Sequence, residues 1–105
     1  MQLGKVIGTV IATRRDPGLA GTRLLLVRLM TTDARLRDSH LVAVDTVDAG
    51  VGDVVMVTTG SAARQTAITH KRPCDAVIMA VVDTWEVNGT VKYDKGRAER
   101  SPAGG

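Results

Sequence analysis

The sequence predicts an all-β fold, a small and partly closed barrel of about five strands with one short helix between the fourth and fifth. Three observations carry this. Runs rich in Val, Ile, Leu and Met recur along the chain, separated by turn-forming Gly, Asp, Asn and Pro. The most regular unit is Val42–Val47, then Asp48–Asp53, then Val54–Gly60, which reads as strand, tight connection and strand. Aromatic residues are only 2% of the chain and Phe is missing, so the core has to be aliphatic.

The elements follow in order. Leu3–Thr13 is the first strand. Val6, Val10 and Ala12 share one face with Gly8, and Ile7 and Ile11 share the other with Thr9. Both faces are largely apolar, so cover on both sides is expected for part of its length. Gly4 and Gly8 suggest a bend or a close backbone approach. Arg14–Thr22 is a loop, since Asp16-Pro17-Gly18 is strong turn chemistry. Leu24–Met30 is the second strand and pairs with the first as a hairpin. Thr31–His40 is polar and reads as a surface connection anchored by Leu36. Leu41–Val47 is the third strand, Ala49–Asp53 the turn, and Val54–Thr59 the fourth strand.

After Gly60, Ser61 is a good N-cap and Ala62-Ala63-Arg64-Gln65 are helix formers. Pro73 ends any helix before it. Ala76–Val87 is the last long strand, continuous in its first half and alternating in its second. Asn88-Gly89 signals a hairpin turn, and Thr90–Tyr93 a short return strand. Residues 1–91 read as one barrel domain and 92–105 as a charged, loosely ordered tail.

The chain has 105 residues, the length of a single domain. A small domain with an aliphatic core is marginal alone, which leaves room for subunit packing. The net charge is +3, but the cations are scattered at Arg14-Arg15, Arg35, Arg37, Lys71-Arg72 and Lys92–Arg100. That pattern is a solvated surface rather than a nucleic-acid stripe. Cys74 stands alone, so neither an intrachain disulfide nor a cysteine metal cluster is expected. It precedes an apolar run and reads as a small buried hydrophobe. Met1–Lys5 leads straight into strand-like sequence with no signal pattern, and no apolar run reaches bilayer length. A cytoplasmic protein with no membrane partner is expected.

No catalytic constellation emerges. His40 and His70 fall in connecting segments, no metal-ligand spacing is present, and no glycine-rich phosphate loop occurs. Asp45 and Asp83 interrupt apolar strands, yet nothing else supports acid–base chemistry between them. No catalytic residue, cofactor or metal site is therefore expected. Arg64 reads either as a solvated helix residue or as the partner of Asp45 or Asp83 in the same or a neighbouring subunit.

Taken together, these pieces resemble the EutN/CcmL family, the pentameric vertex proteins of bacterial microcompartment shells. The matching stretches are Gly4–Thr13, Leu24–Val27, Val42–Val47 with Ala49–Val55, Gly60-Ser61-Ala62-Ala63-Arg64 and Asp75–Asp83. They cover roughly residues 1–87. Two departures stand out: Thr31–His40 carries more charge than the family pattern, and Met79-Ala80 stands where Gly-Ile is common. The resemblance implies an OB-like barrel that forms a homopentamer and closes a polyhedral shell with hexameric shell proteins. It places Gly60, Ser61 and Ala62 near the fivefold opening, where small residues permit close approach. A capped helix start is the plainer reading of the same segment. Arg64, Asp45, Asp83 and Trp85 are the candidates for subunit contacts. A rival reading is an OB-like module for single-stranded nucleic acid. Such binders stack bases on exposed aromatics, and only Trp85 and Tyr93 are available; Trp85 serves equally as an anchor of the barrel end. No nucleic-acid partner is therefore expected.

Overall fold

The computed structural model describes residues 1–14, 17–19, 21–60 and 76–96. Five strands close a barrel in the order β1-β2-β3-β5-β4. They are β1 (Gln2–Val10), β2 (Arg23–Met30), β3 (Leu36–Asp45), β4 (Val54–Thr59) and β5 (Ala76–Val81). A separate hairpin of β6 (Thr84–Val87) and β7 (Thr90–Asp94) follows. The expected domain boundary at residue 91 falls inside β7. The short helix expected after Gly60 lies outside the described residues.

β1 and β2 form the expected antiparallel hairpin, and β1 also pairs with β4 through Gln2↔Val57 to Lys5↔Val54. β2 pairs with β3, and β4 with β5, both antiparallel. The parallel contact of β3 with β5 closes the ring through Val44↔Val77 and Asp45↔Ile78. Closure leaves the aliphatic inner faces facing one another, and Val6, Leu25, Val27, Ala43, Val55 and Ile78 are fully or almost fully buried there. Val44 and Val77 point the other way and pack with Leu19 and Leu24 outside the barrel. At about 25 cal/mol per Å² of apolar surface, each fully buried Val, Leu or Ile stabilises the fold by roughly 1.5–3 kcal/mol.

The glycines of β1 behave as their positions suggest. A Cβ at Gly4 would collide with Cγ1 of Val27 and stand 3.1 Å from the Arg28 carbonyl oxygen. Gly8 sits at a bulge, where the β1–β2 register jumps between Val6 and Gly8 and leaves Ile7 as the extra residue. The bulge breaks the simple alternation. Ile7 is 40% exposed and Ile11 is 89% exposed, so in the single chain the outer side of β1 lacks the cover expected of it.

Two other expectations differ. β3 begins at Leu36, not Leu41, and ends at Asp45. Its first half is polar because it is exposed, yet it pairs with β2 through Arg28↔His40 and Met30↔Leu36. The stretch Ala76–Val87 is two strands, not one. Val82 N–H still donates to Val54 O at 2.8 Å, but the exposed Asp83 turns its carbonyl to Lys95 N–H at 2.8 Å. The chain leaves the barrel there. Asn88 and Gly89 both have positive φ, 51° and 81°, as a tight two-residue hairpin turn requires.

Candidate assembly surfaces

The connection between β3 and β4 is held by side-chain carboxylates. The Asp45 side chain is only 3% exposed and lies 3.3 Å from Nη1 of Arg23. Its oxygens accept hydrogen bonds from Val47 N–H at 3.1 Å and from Ala49 N–H. Arg23 Nη1 also donates to Asp48 Oδ1 at 3.2 Å and to Ala49 O at 2.9 Å. Further on, Asp53 Oδ2 accepts from Gly50 N–H at 2.8 Å. Gly52, at φ 97°, donates its N–H to Val6 O at 2.8 Å. The turn is therefore a fixed feature of the surface, with Val47 and Asp48 at its outer edge.

The predicted site residues that are described, Asp45, Gly60, Asp83 and Trp85, fall on different parts of the fold. Asp45 ends β3 and is committed to its own turn. Asp83 is exposed at the break between β5 and β6. Gly60 is exposed after β4 with φ 66°. Ser61, Ala62 and Arg64 lie outside the described residues. Trp85 lies on β6, and its Nε1–H donates to the Thr32 carbonyl at 2.8 Å. That bond, with Lys92 3.4 Å from Asp33, fastens the hairpin to the turn between β2 and β3. The Trp85 and Tyr93 rings stack on each other at 5.1 Å between centroids. Each thus presents a face to the other that a base would otherwise use. Among the described residues no three His, Cys, Asp or Glu side chains converge as a metal site.

Sequence reasoning missed an apolar groove of about 500 Å³ on the outside of the barrel. Leu3 of β1 faces Met30 of β2 on one side and Met56 of β4 on the other. Met1 extends this floor, and Thr31, Thr32 and Arg37 form the rim. The chain has four methionines, three of which line this groove. The fourth, Met79, is the extra residue of a bulge between β4 and β5 and is 39% exposed. The methionines are far apart in sequence, so the only sequence signal was that of Met79 at an unusual position.

The fold and its surface define a class: a small closed barrel with outward apolar patches and a rigid turn, suited to contacts between protein surfaces. Comparison with known proteins specifies it. The family model described as "Ethanolamine utilisation protein EutN/carboxysome" matches residues 1–83. The carboxysome shell vertex protein CcmL of Nostoc sp. is 42% identical over 96 residues, covering 90% of this chain and 95% of that protein. The solved structure of Gloeobacter violaceus CcmL superposes with a TM-score of 0.88 at 38% identity, covering 91% of this chain and 99% of that one. The GrpN pentameric microcompartment shell protein of Rhodospirillum rubrum superposes at 0.76 with 45% identity, covering 83% and 100%. The chain belongs to the EutN/CcmL family.

Proposed function

We propose that this chain is a structural shell protein that forms the pentameric vertices of a polyhedral bacterial microcompartment in the cytoplasm. The observation that carries the reading is its likeness to a solved pentameric shell protein across that protein's whole length, at 45% identity. The mechanism is assembly, without a catalytic step. Flat sheets of sixfold tiles close into a polyhedron only when fivefold units occupy the corners. Each subunit presents one face to a different face of the next, a head-to-tail contact that closes into a ring. The rim of that ring then docks between hexameric shell proteins, with the loop Arg14–Thr22 and the segment Thr31–His40 as its outer surfaces.

Within this reading Gly60, Ser61 and Ala62 surround the fivefold opening, and Arg64 and Asp83 belong to the contact between subunits. Asp45 and Trp85 act there indirectly, because each is engaged inside its own chain. Native mass measurement tests the proposal. A species of five 11.1 kDa chains is expected, together with co-assembly with hexameric shell proteins. A solitary chain at high concentration that never joins such tiles refutes it. Replacing Ser61 with Trp is expected to impair the ring or narrow its opening; unchanged assembly and opening would remove Ser61 from that role.

A further inference from the structure

Outward residues of β1, β2 and β3 form two neighbouring rungs of opposite character. Val6, Val27 and Leu41 pair across these strands and turn inward, Val6 and Val27 completely buried and Leu41 packed against the core. The next rung, Lys5↔Arg28↔His40, therefore faces outward. One outward rung further, about 7 Å along the strands, Leu3 pairs with Met30 and Met56 and forms the floor of the apolar groove. A row of nitrogen donors thus borders a row of leucine and methionine.

The irregular pairing of β3 brings a further cation to this face. Arg28–Met30 of β2 spans Leu36–His40 of β3, so β3 bulges between the two rungs. Arg28 Nε–H donates to Arg37 O at 2.7 Å, and its Nη2 lies 3.5 Å from Asp38 Oδ1. Arg37 is exposed and lines the groove. His40, exposed at the end of its rung, offers an N–H donor in either protonation state. The acids nearby are already engaged. Asp38 is fully solvated and meets Arg28. Asp33 is held by Lys92, and Asp53, next to the Val54 partner of Lys5, by Gly50 N–H and Lys95. Lys5 and Arg37 make no ion pair with any described residue. Like charges opposite each other on neighbouring strands repel, so a carboxylate laid across Lys5 and Arg28 relieves a local cost.

A free anion has nothing to place on the adjoining methionines, whereas an apolar patch edged by charge suits contact with another protein. A methionine floor adjusts around an inserted side chain. Copies of this chain carry +3 each and repel, which favours an acidic partner over a second copy. Single-stranded nucleic acid needs exposed aromatic faces, and Trp85 and Tyr93 stack on each other.

We infer that this face binds an acidic segment of a different protein, which seats an apolar side chain on Leu3, Met30 and Met56 and lays a carboxylate across Lys5 and Arg28, with Arg37 at its edge. In an extended segment, residues two apart share a face at the spacing of the rungs, so the recognised pattern is an apolar residue and an acid at i and i+2. The inference goes beyond the vertex reading and does not need it, because both rungs lie within one chain.

Fluorescence anisotropy of a labelled peptide of repeated Ser-Leu-Ser-Glu, titrated with the full-length protein, tests this. Saturable binding that weakens as salt is raised is expected. Arg37→Glu, at an exposed position, is expected to weaken binding roughly tenfold. Lys5→Glu combined with Arg37→Glu is expected to lose the glutamate peptide and to take up one with lysine in its place, an exchange that also shows the variant is folded. A peptide with serine for leucine is expected to bind at least about tenfold more weakly. No binding of the glutamate peptide, or binding that Arg37→Glu and the double variant leave unchanged, overturns the inference. Equal binding of the serine peptide makes the face a general anion surface and overturns it as well, as does displacement of the peptide by a single-stranded oligonucleotide. Native mass is read on the same samples. A five-chain species that ignores the peptide overturns this inference alone, and a one-chain species that binds it overturns the ring alone.

Discussion

Gly4→Ala should destabilise the barrel through one added methyl group. Gly4 is buried on β1, between Leu29 of β2 and Val55 of β4. The new Cβ overlaps Cγ1 of Val27 and lies 3.1 Å from Arg28 O. Val27 is completely buried in the main cluster, and as a β-branched residue it has little freedom at χ1. Neither the side chain nor the paired backbone can yield cheaply. Overpacking of this kind costs roughly 1–3 kcal/mol. For a domain of this size a cost of about 2 kcal/mol lowers Tm by roughly 8–16 °C. The assay is thermal unfolding followed by circular dichroism, at matched protein concentration because assembly also shifts Tm. Val27→Ala removes the obstructing atom, so the double variant should be more stable than the sum of the single losses by about 1 kcal/mol or more. A Gly4→Ala protein that melts with the wild type, or a double variant that is strictly additive, would refute the reasoning.

Asp45→Ala removes the buried acceptor for Val47 and Ala49 N–H and one of the partners of Arg23, and should cost roughly 2–3 kcal/mol by denaturant titration. Arg23→Ala, at a half-exposed position, should cost less, about 1 kcal/mol. Tyr93→Ala breaks the stack on Trp85 and should loosen the hairpin by about 1 kcal/mol. Trp85 is the only tryptophan, so a red shift of its emission reads that change directly. Ala34 holds φ 63° in the turn between β2 and β3, a conformation that disfavours a Cβ. Ala34→Gly is therefore expected to raise stability by up to about 1 kcal/mol despite its entropy cost, measured by the shift in unfolding midpoint.

Much of the barrel was legible because its signals are local. The β-branched run of β4, the Gly-Asp connection before it and the Asn88-Gly89 turn are each specified by a few adjacent residues. The start of β3 was not. Arg37, Asp38 and His40 look like a loop because that half of the strand is exposed, and only its pairing with β2 makes it a strand. The break at Val82–Asp83 was hidden for a related reason. A continuous apolar run gives no sign of where the barrel edge ends and the hairpin begins. The predicted acids Asp45 and Asp83 were visible as charges interrupting apolar strands, but nothing local showed that Asp45 folds back onto its own turn and meets Arg23 of β2, or that the chain leaves the barrel at Asp83.

By itself, then, the sequence determined the all-β class, the aliphatic core and the order of the first four strands, along with the family. These depend on residue type and on spacing within a few positions. Only the tertiary structure decided which apolar residues face out. Bulges at Ile7 and Met79 shift the alternation, and closure brings Leu3, Met30 and Met56 side by side from three separate strands. A side chain's face follows from strand register, and register in a closed barrel is settled by all five strands together.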